Sequence, residues 1–210
     1  MLNMDGQKIL VVVAAPVEET LWCGGYLLMQ NRGKNIEIVT LTTPNTHAQK
    51  LAFERACMAY GAQGVDLGVK DTPERQPLDP VEIAHSLARR VNFREYDTIF
   101  THNKSGEYTS NRRHKELYRA VNTAIETDLL ACDHLARFCY TDNDGVELPH
   151  PKKQGAKLQL NQELWQKKYV ILRKIYNYTA DSWEARTTPK TESFLLKTAK
   201  SSDFSSLKAA

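Results

Sequence analysis

Apolar residues run without a break from Ile9 to Ala14 (ILVVVA). A run this short, set between Lys8 and the turn at Pro16, predicts a strand buried on both faces over Lys8–Ala15. Leu21, Gly24, Gly25 and Leu28 then recur at helical spacing, predicting a helix over Glu18–Asn31 that Asn31-Arg32-Gly33 stops. Asn35–Leu41 (NIEIVTL) alternates and is β-branched, a second strand, with a polar loop at Thr42–Asn45. An amphipathic helix follows over Ala48–Tyr60, closed by Gly61, and a short strand over Val65–Val69. The stretch Asp71–Pro80 (DTPERQPLDP) reads as a loop. Asp79 as N-cap and Pro80 at the first helical position open a helix that runs to Phe93. Tyr96–Thr101 is a fourth strand, His102–Arg113 a long polar loop, His114–Thr127 a helix and Leu135–Tyr140 a fifth strand. Thr141–Leu160 reads as loop and Leu164–Tyr178 as a helix.

Strands that alternate with helices imply βαβ units and a mainly parallel sheet. The expected architecture is an α/β, Rossmann-like layered sandwich, one domain over residues 1–200 with a flexible tail over 201–210. In such sheets ligands bind beyond the carboxyl ends of the strands. The first and fourth strands end at Ala15-Pro16 and Thr101-His102. If these strands are neighbours, Glu18, His102, Glu107 and His114 share one crevice although they lie far apart in sequence.

Composition narrows the class. The chain has 210 residues, 41% of them hydrophobic and 25% charged, which suits a globular protein with a sizeable core. A net charge of +3 is too small to argue for nucleic acid, and no apolar run approaches the ~20 residues of a membrane span. Lys152, Lys153, Lys157, Lys167, Lys168, Arg173 and Lys174 crowd the last third, and a solvated helix face is the plain reading. Cys23, Cys57, Cys132 and Cys139 show no CxxC spacing and sit in apolar surroundings, as buried free thiols of a reducing, cytoplasmic compartment would.

Chemistry-bearing residues are few. A catalytic zinc takes His, Asp/Glu or Cys ligands and keeps one position open. Glu18 and His114 could supply two ligands, and His102 or Glu107 a third. Ordinary roles compete: a carboxylate at a helix start suits the helix dipole, and His102 could simply fasten a loop. Cys23-Gly24-Gly25 is no dinucleotide fingerprint, because its glycines lie inside a helix and Glu18 and Glu19 would repel a phosphate. No G-x-S-x-G elbow is present. Lys104, Arg112 and Arg113 could instead hold an anionic substrate such as a sugar phosphate.

With these residues in view, the chain resembles the LmbE-like, or PIG-L, family of zinc-dependent N-deacetylases of N-acetylglucosamine-type sugars. The family opens with a strand, a motif A-H-P-D-D-E and a helix with C-G-G; here Val11–Gly25 reads VVVAAPVEETLWCGG. A second motif, T-H-N-x-x-G-E-Y, matches THNKSGEY at Thr101–Tyr108, with His114 following at a helix start. The segment Pro189–Phe194 (PKTESF) also looks like the family's C-terminal part. The resemblance places the usual ligand histidine on Ala15 and the general base on Val17, neither of which can serve. It leaves Glu18 and His114 as residual metal ligands. Glu18, His102 and Asn111 are then the catalytic candidates, with Glu107, Arg112 and Arg113 toward substrate. Losing a base costs about 10²–10⁴-fold, so the implied function is a deacetylase homologue with lost or strongly altered zinc hydrolase activity. It would bind a sugar-like ligand, a protein partner or a second copy of itself. The alternative is an active N-deacetylase with a rearranged metal site.

Overall fold

The computed structural model describes residues 6–30, 33–71, 76–106 and 108–198. In chain order these form β1 (Lys8–Val13), α1 (Glu18–Gln30), β2 (Asn35–Thr42), α2 (His47–Ala59), β3 (Ala62–Val69) and α3 (Pro80–Arg90). β4 (Glu95–Thr101), α4 (Arg112–Glu126), β5 (Ala131–Phe138), β6 (Tyr140–Thr141), β7 (His150–Pro151) and β8 (Ala156–Gln159) follow. The chain then forms α5 (Gln162–Val170), a π-helix (Ile171–Ile175), α6 (Trp183–Thr187) and β9 (Thr191–Thr198). The expected tail, 201–210, lies outside the described residues.

The main sheet among the described residues runs β3-β2-β1-β4-β5-β9-β8. Its first five strands are parallel, and β9 and β8 join antiparallel at one edge. This is the expected α/β sandwich, with β1 and β4 direct neighbours. The unbroken apolar run of β1 has a simple cause. Ile9, Val11 and Val13 face a core with α1, α2 and the π-helix. Leu10, Val12 and Ala14 face the other core, against α3 and α4. Each of the Ile, Leu and Val side chains among them contributes roughly 1.5–3 kcal/mol by burial.

Several boundaries differ from the expected ones. β3 starts at Ala62 because Ile36 already pairs with it. α3 stops at Arg90, where Val91 turns extended. β5 lies over Ala131–Phe138, set by its register on β4 from Glu95. The segment expected to be loop, Thr141–Leu160, contains β7 and β8. The single helix expected over Leu164–Tyr178 is α5 followed by a π-turn, with Tyr176 N–H reaching Ile171 O at 3.1 Å. β9 and α6 have no counterpart in the sequence reading.

One expected surface lysine is not at the surface. Lys168 is fully buried, its Nζ 2.7 Å from the equally buried Glu192 and 2.8 Å from Leu21 O. The reason lies in α1, which kinks at Cys23 (φ −143°). Glu192 accepts from the amides just beyond the kink, Gly25 N at 2.7 Å and Tyr26 N at 2.8 Å. The glycines there serve close packing: a Cβ on Gly25 would stand 2.4 Å from Leu160 Cδ2, and one on Gly24 2.8 Å from Tyr60 Oη.

Candidate functional site

The strand order reverses between β1 and β4. The loop after β1 passes to α1 on one face and the loop after β4 leads to α4 on the other, so a crevice opens between them. Three predicted residues meet there. Glu18 starts α1, His102 follows β4, and His114 lies in the first turn of α4. His114 Nε2 donates to Glu18 Oε1 at 2.7 Å. Two successive backbone amides complete the arrangement: Ala15 N donates to Glu18 Oε2 at 2.8 Å, and Ala14 N to His102 Nε2 at 2.9 Å.

The last bond fixes the His102 tautomer. An Nε2 that accepts from an amide carries no proton, so the 3.3 Å approach of His102 Nε2 to Glu18 Oε2 is not an ion pair. Burial would raise the Glu18 carboxyl, but the neighbouring histidines, His114 foremost, hold it well below the ordinary carboxylate range. Any share of His102 in this presupposes a proton that the Ala14 amide excludes. The short His114 bond is therefore the cause we assign.

Glu18, His102 and His114 offer ligand atoms within 4.8 Å of one another, and two imidazoles with a carboxylate are a suitable donor set for zinc. The ring geometry does not fit one ion. The two imidazoles stack with centroids 3.9 Å apart and planes 5° from parallel. An imidazole lone pair lies in its ring plane, and parallel planes do not converge. An ion between them would sit about half that separation out of each plane. The His102 lone pair is also already taken by Ala14 N. One ring would have to turn before both could ligate one ion.

The β1–α1 turn contains both positions the resemblance singles out. Ala15 is partly exposed, whereas Val17 is 7% exposed and packs into the core cluster with Leu21 and Trp22. Val17 has φ +83°, a conformation that strains a β-branched residue. Glu19, one residue past Glu18, faces the other way. It is fully buried, and its Oε1 accepts from Thr20 Oγ1 (2.6 Å) and Tyr176 OH (2.7 Å). Burial pushes its carboxyl above the ordinary value.

The remaining candidates are more dispersed. Asn111 caps α4, its Oδ1 accepting from Arg113 N at 3.0 Å. Arg113 is buried and directs Nε to Asp71 (3.1 Å) and Nη1 to Glu116 (2.7 Å) and Gln76 O (3.0 Å). Arg112 and Lys104 are exposed. Glu107 lies outside the described residues. In the same loop Gly106 has φ +79°, and a Cβ there would meet Thr109 O at 2.0 Å. Tyr108 packs between Trp22 and Trp183, each 5.5 Å away between ring centroids.

Sequence reasoning missed a cleft of about 750 Å³ beside this turn. It is lined by Ala15-Pro16, Thr42–Asn45, one face of α2, Asp71 and a wall formed by Lys174–Tyr178. The wall that begins at Lys174 exists because the π-turn re-aims the chain after α5. A widened helical turn leaves no distinctive residue pattern to read.

Fold and site together describe an α/β protein with a polar crevice at the switch point of its sheet. Solved structures share this architecture. N,N'-diacetylchitobiose deacetylase from Pyrococcus horikoshii superposes with a TM-score of 0.69 at 16% identity, over 97% of this chain and 89% of that one. The antimicrobial reagent pseudoaglycone deacetylase Dbv21 gives 0.60 at 13% identity, over 94% and 100%. The 4-carboxy-2-hydroxymuconate hydratase from Pseudomonas putida gives 0.59 at 16%, over 86% and 83%. Two deacetylases and a hydratase thus share this fold, so the reaction must be argued from the site. No family model matches the chain, and no curated protein matches it by sequence. No helix among the described residues is long and apolar enough to cross a membrane.

Proposed function

We propose that this protein is a deacetylase-like binder of a sugar-like ligand whose zinc-dependent amide hydrolysis is lost or strongly reduced. The observation that carries this reading is the parallel stack of His102 and His114, with Glu18 hydrogen-bonded to His114 and His102 held by the Ala14 amide. A second observation agrees with it. Val17, where the resemblance puts the general base, is an apolar side chain packed into the core. Metal-assisted hydrolysis of an amide needs an activated water and a group to accept its proton. The described crevice provides carboxylate and imidazole without either in working position. Ligand binding survives such a loss, because it depends on the shape and polarity of the crevice and not on the reacting centre.

Metal analysis and an amide-hydrolysis assay test the proposal together. Wild type is expected to hold far less than one equivalent of zinc and to bind N-acetylglucosamine without releasing acetate. The variant Ala15→His/Val17→Asp is expected to gain zinc. Stoichiometric zinc on wild type that disappears in Glu18→Ala and in His114→Ala would overturn the reading.

A further inference from the structure

The cleft beside the β1–α1 turn has a charge pattern of its own. Arg55 on α2 and Lys174 in the π-helix both line it. Neither side chain forms a hydrogen bond or ion pair with another described residue. The acid in the lining, Asp71, is already engaged by the Arg113 guanidinium at 3.1 Å. The uncompensated charge of the cleft is therefore positive. The amino-terminal end of α2 adds to it, since Ala48 and Gln49 also line the cleft. Neutral hydrogen-bonding groups, Asn45 and Tyr178 among them, make up much of the remaining surface.

We infer that this cleft binds the anionic group of a sugar-sized ligand, a phosphate or carboxylate held between Arg55 and Lys174. The inference rests on the sugar-binding reading above and adds charge to it. A volume of about 750 Å³ accommodates a substituted monosaccharide. A guanidinium suits planar or tetrahedral anions because its donors match paired oxygens, and an ammonium adds a second, freely rotating donor. Arg112 and Arg113, the cations the sequence singled out, are less suited. Arg113 spends its donors on Asp71, Glu116 and Gln76, and neither residue lines the cleft.

Calorimetric titration of the full chain with N-acetylglucosamine phosphate, N-acetylglucosamine and inorganic phosphate tests this. The phosphorylated sugar is expected to bind at least about tenfold more tightly than the neutral one. That preference is expected to shrink in Arg55→Gln and in Lys174→Gln, with unchanged thermal unfolding, and to weaken with added salt. Inorganic phosphate that competes with the phosphorylated sugar, and does so less well against both variants, also supports the inference. Equal binding of the two sugars by wild type overturns the anion site and leaves the sugar reading intact. A preference that persists in both variants overturns the placement at Arg55 and Lys174. Binding of none of the three ligands overturns both readings.

Discussion

Two carboxylates meet at helix α1, one docked on it and one carried by it, and they are built for different ends. Glu192, from β9, is fully buried and saturated: both oxygens accept backbone amides at the Cys23 kink, and one also meets the Lys168 ammonium. Glu18, at the helix start, stands at the crevice with its side chain 15% exposed, between an imidazole and one amide. A buried charge is tolerated when partners compensate it completely, and it then acts as scaffold. A carboxylate at the carboxyl edge of a parallel sheet keeps contact with solvent and ligand. Glu19 sharpens the contrast, since one residue of helix turns it from the histidines toward hydroxyls and raises its pKa where that of Glu18 falls.

The largest test of this contrast is Glu192→Ala. It strands the Lys168 ammonium and two amides in the core, so a loss of about 3–5 kcal/mol is expected in urea denaturation. Lys168→Met combined with Glu192→Leu should recover much of it. An equal loss from Glu18→Ala would erase the distinction between scaffold and crevice.

The two neighbouring acids should also give opposite pH slopes. Glu18 lies below its ordinary value of 4.5, so it contributes stability above that pH that is lost on acidification. Glu19 lies above 4.5, so its contribution is present at lower pH and is lost as pH rises through its folded value. Urea midpoints recorded from about pH 3 to about pH 8 check this. Glu18→Gln is expected to flatten the acid side of the profile and Glu19→Gln the neutral side.

The smallest effect belongs to Asn111. As the α4 cap it should cost about 1 kcal/mol in Asn111→Ala. Unchanged binding of N-acetylglucosamine phosphate would mark it as part of the frame and not of the ligand site.

Much of the frame was legible. The β1 run, the β2 alternation and the Asp79-Pro80 start each announce their element through local pattern, because burial on two faces and capping leave marks in adjacent residues. Strand β9, paired on both sides with β5 and β8, was not legible. Its Glu192 shares a face with the core residue Phe194, which contradicts the alternation a strand should show. Only the partnership with Lys168, 24 residues away, removes the contradiction. The candidate site was half legible. Glu18, His102 and His114 stood out as residue types near strand ends, and their meeting follows from β1 lying beside β4. The stacked rings, the Ala14 bond and the Arg55–Lys174 cleft were not.

By itself, then, the sequence determined the parallel α/β frame and the three side chains that gather at its switch point, because hydrophobic period and strand-end position are local properties. Only the tertiary structure decided how those side chains face one another and which charges are already neutralised. Ring orientation and charge pairing depend on groups brought together from distant parts of the chain, where no local pattern records them.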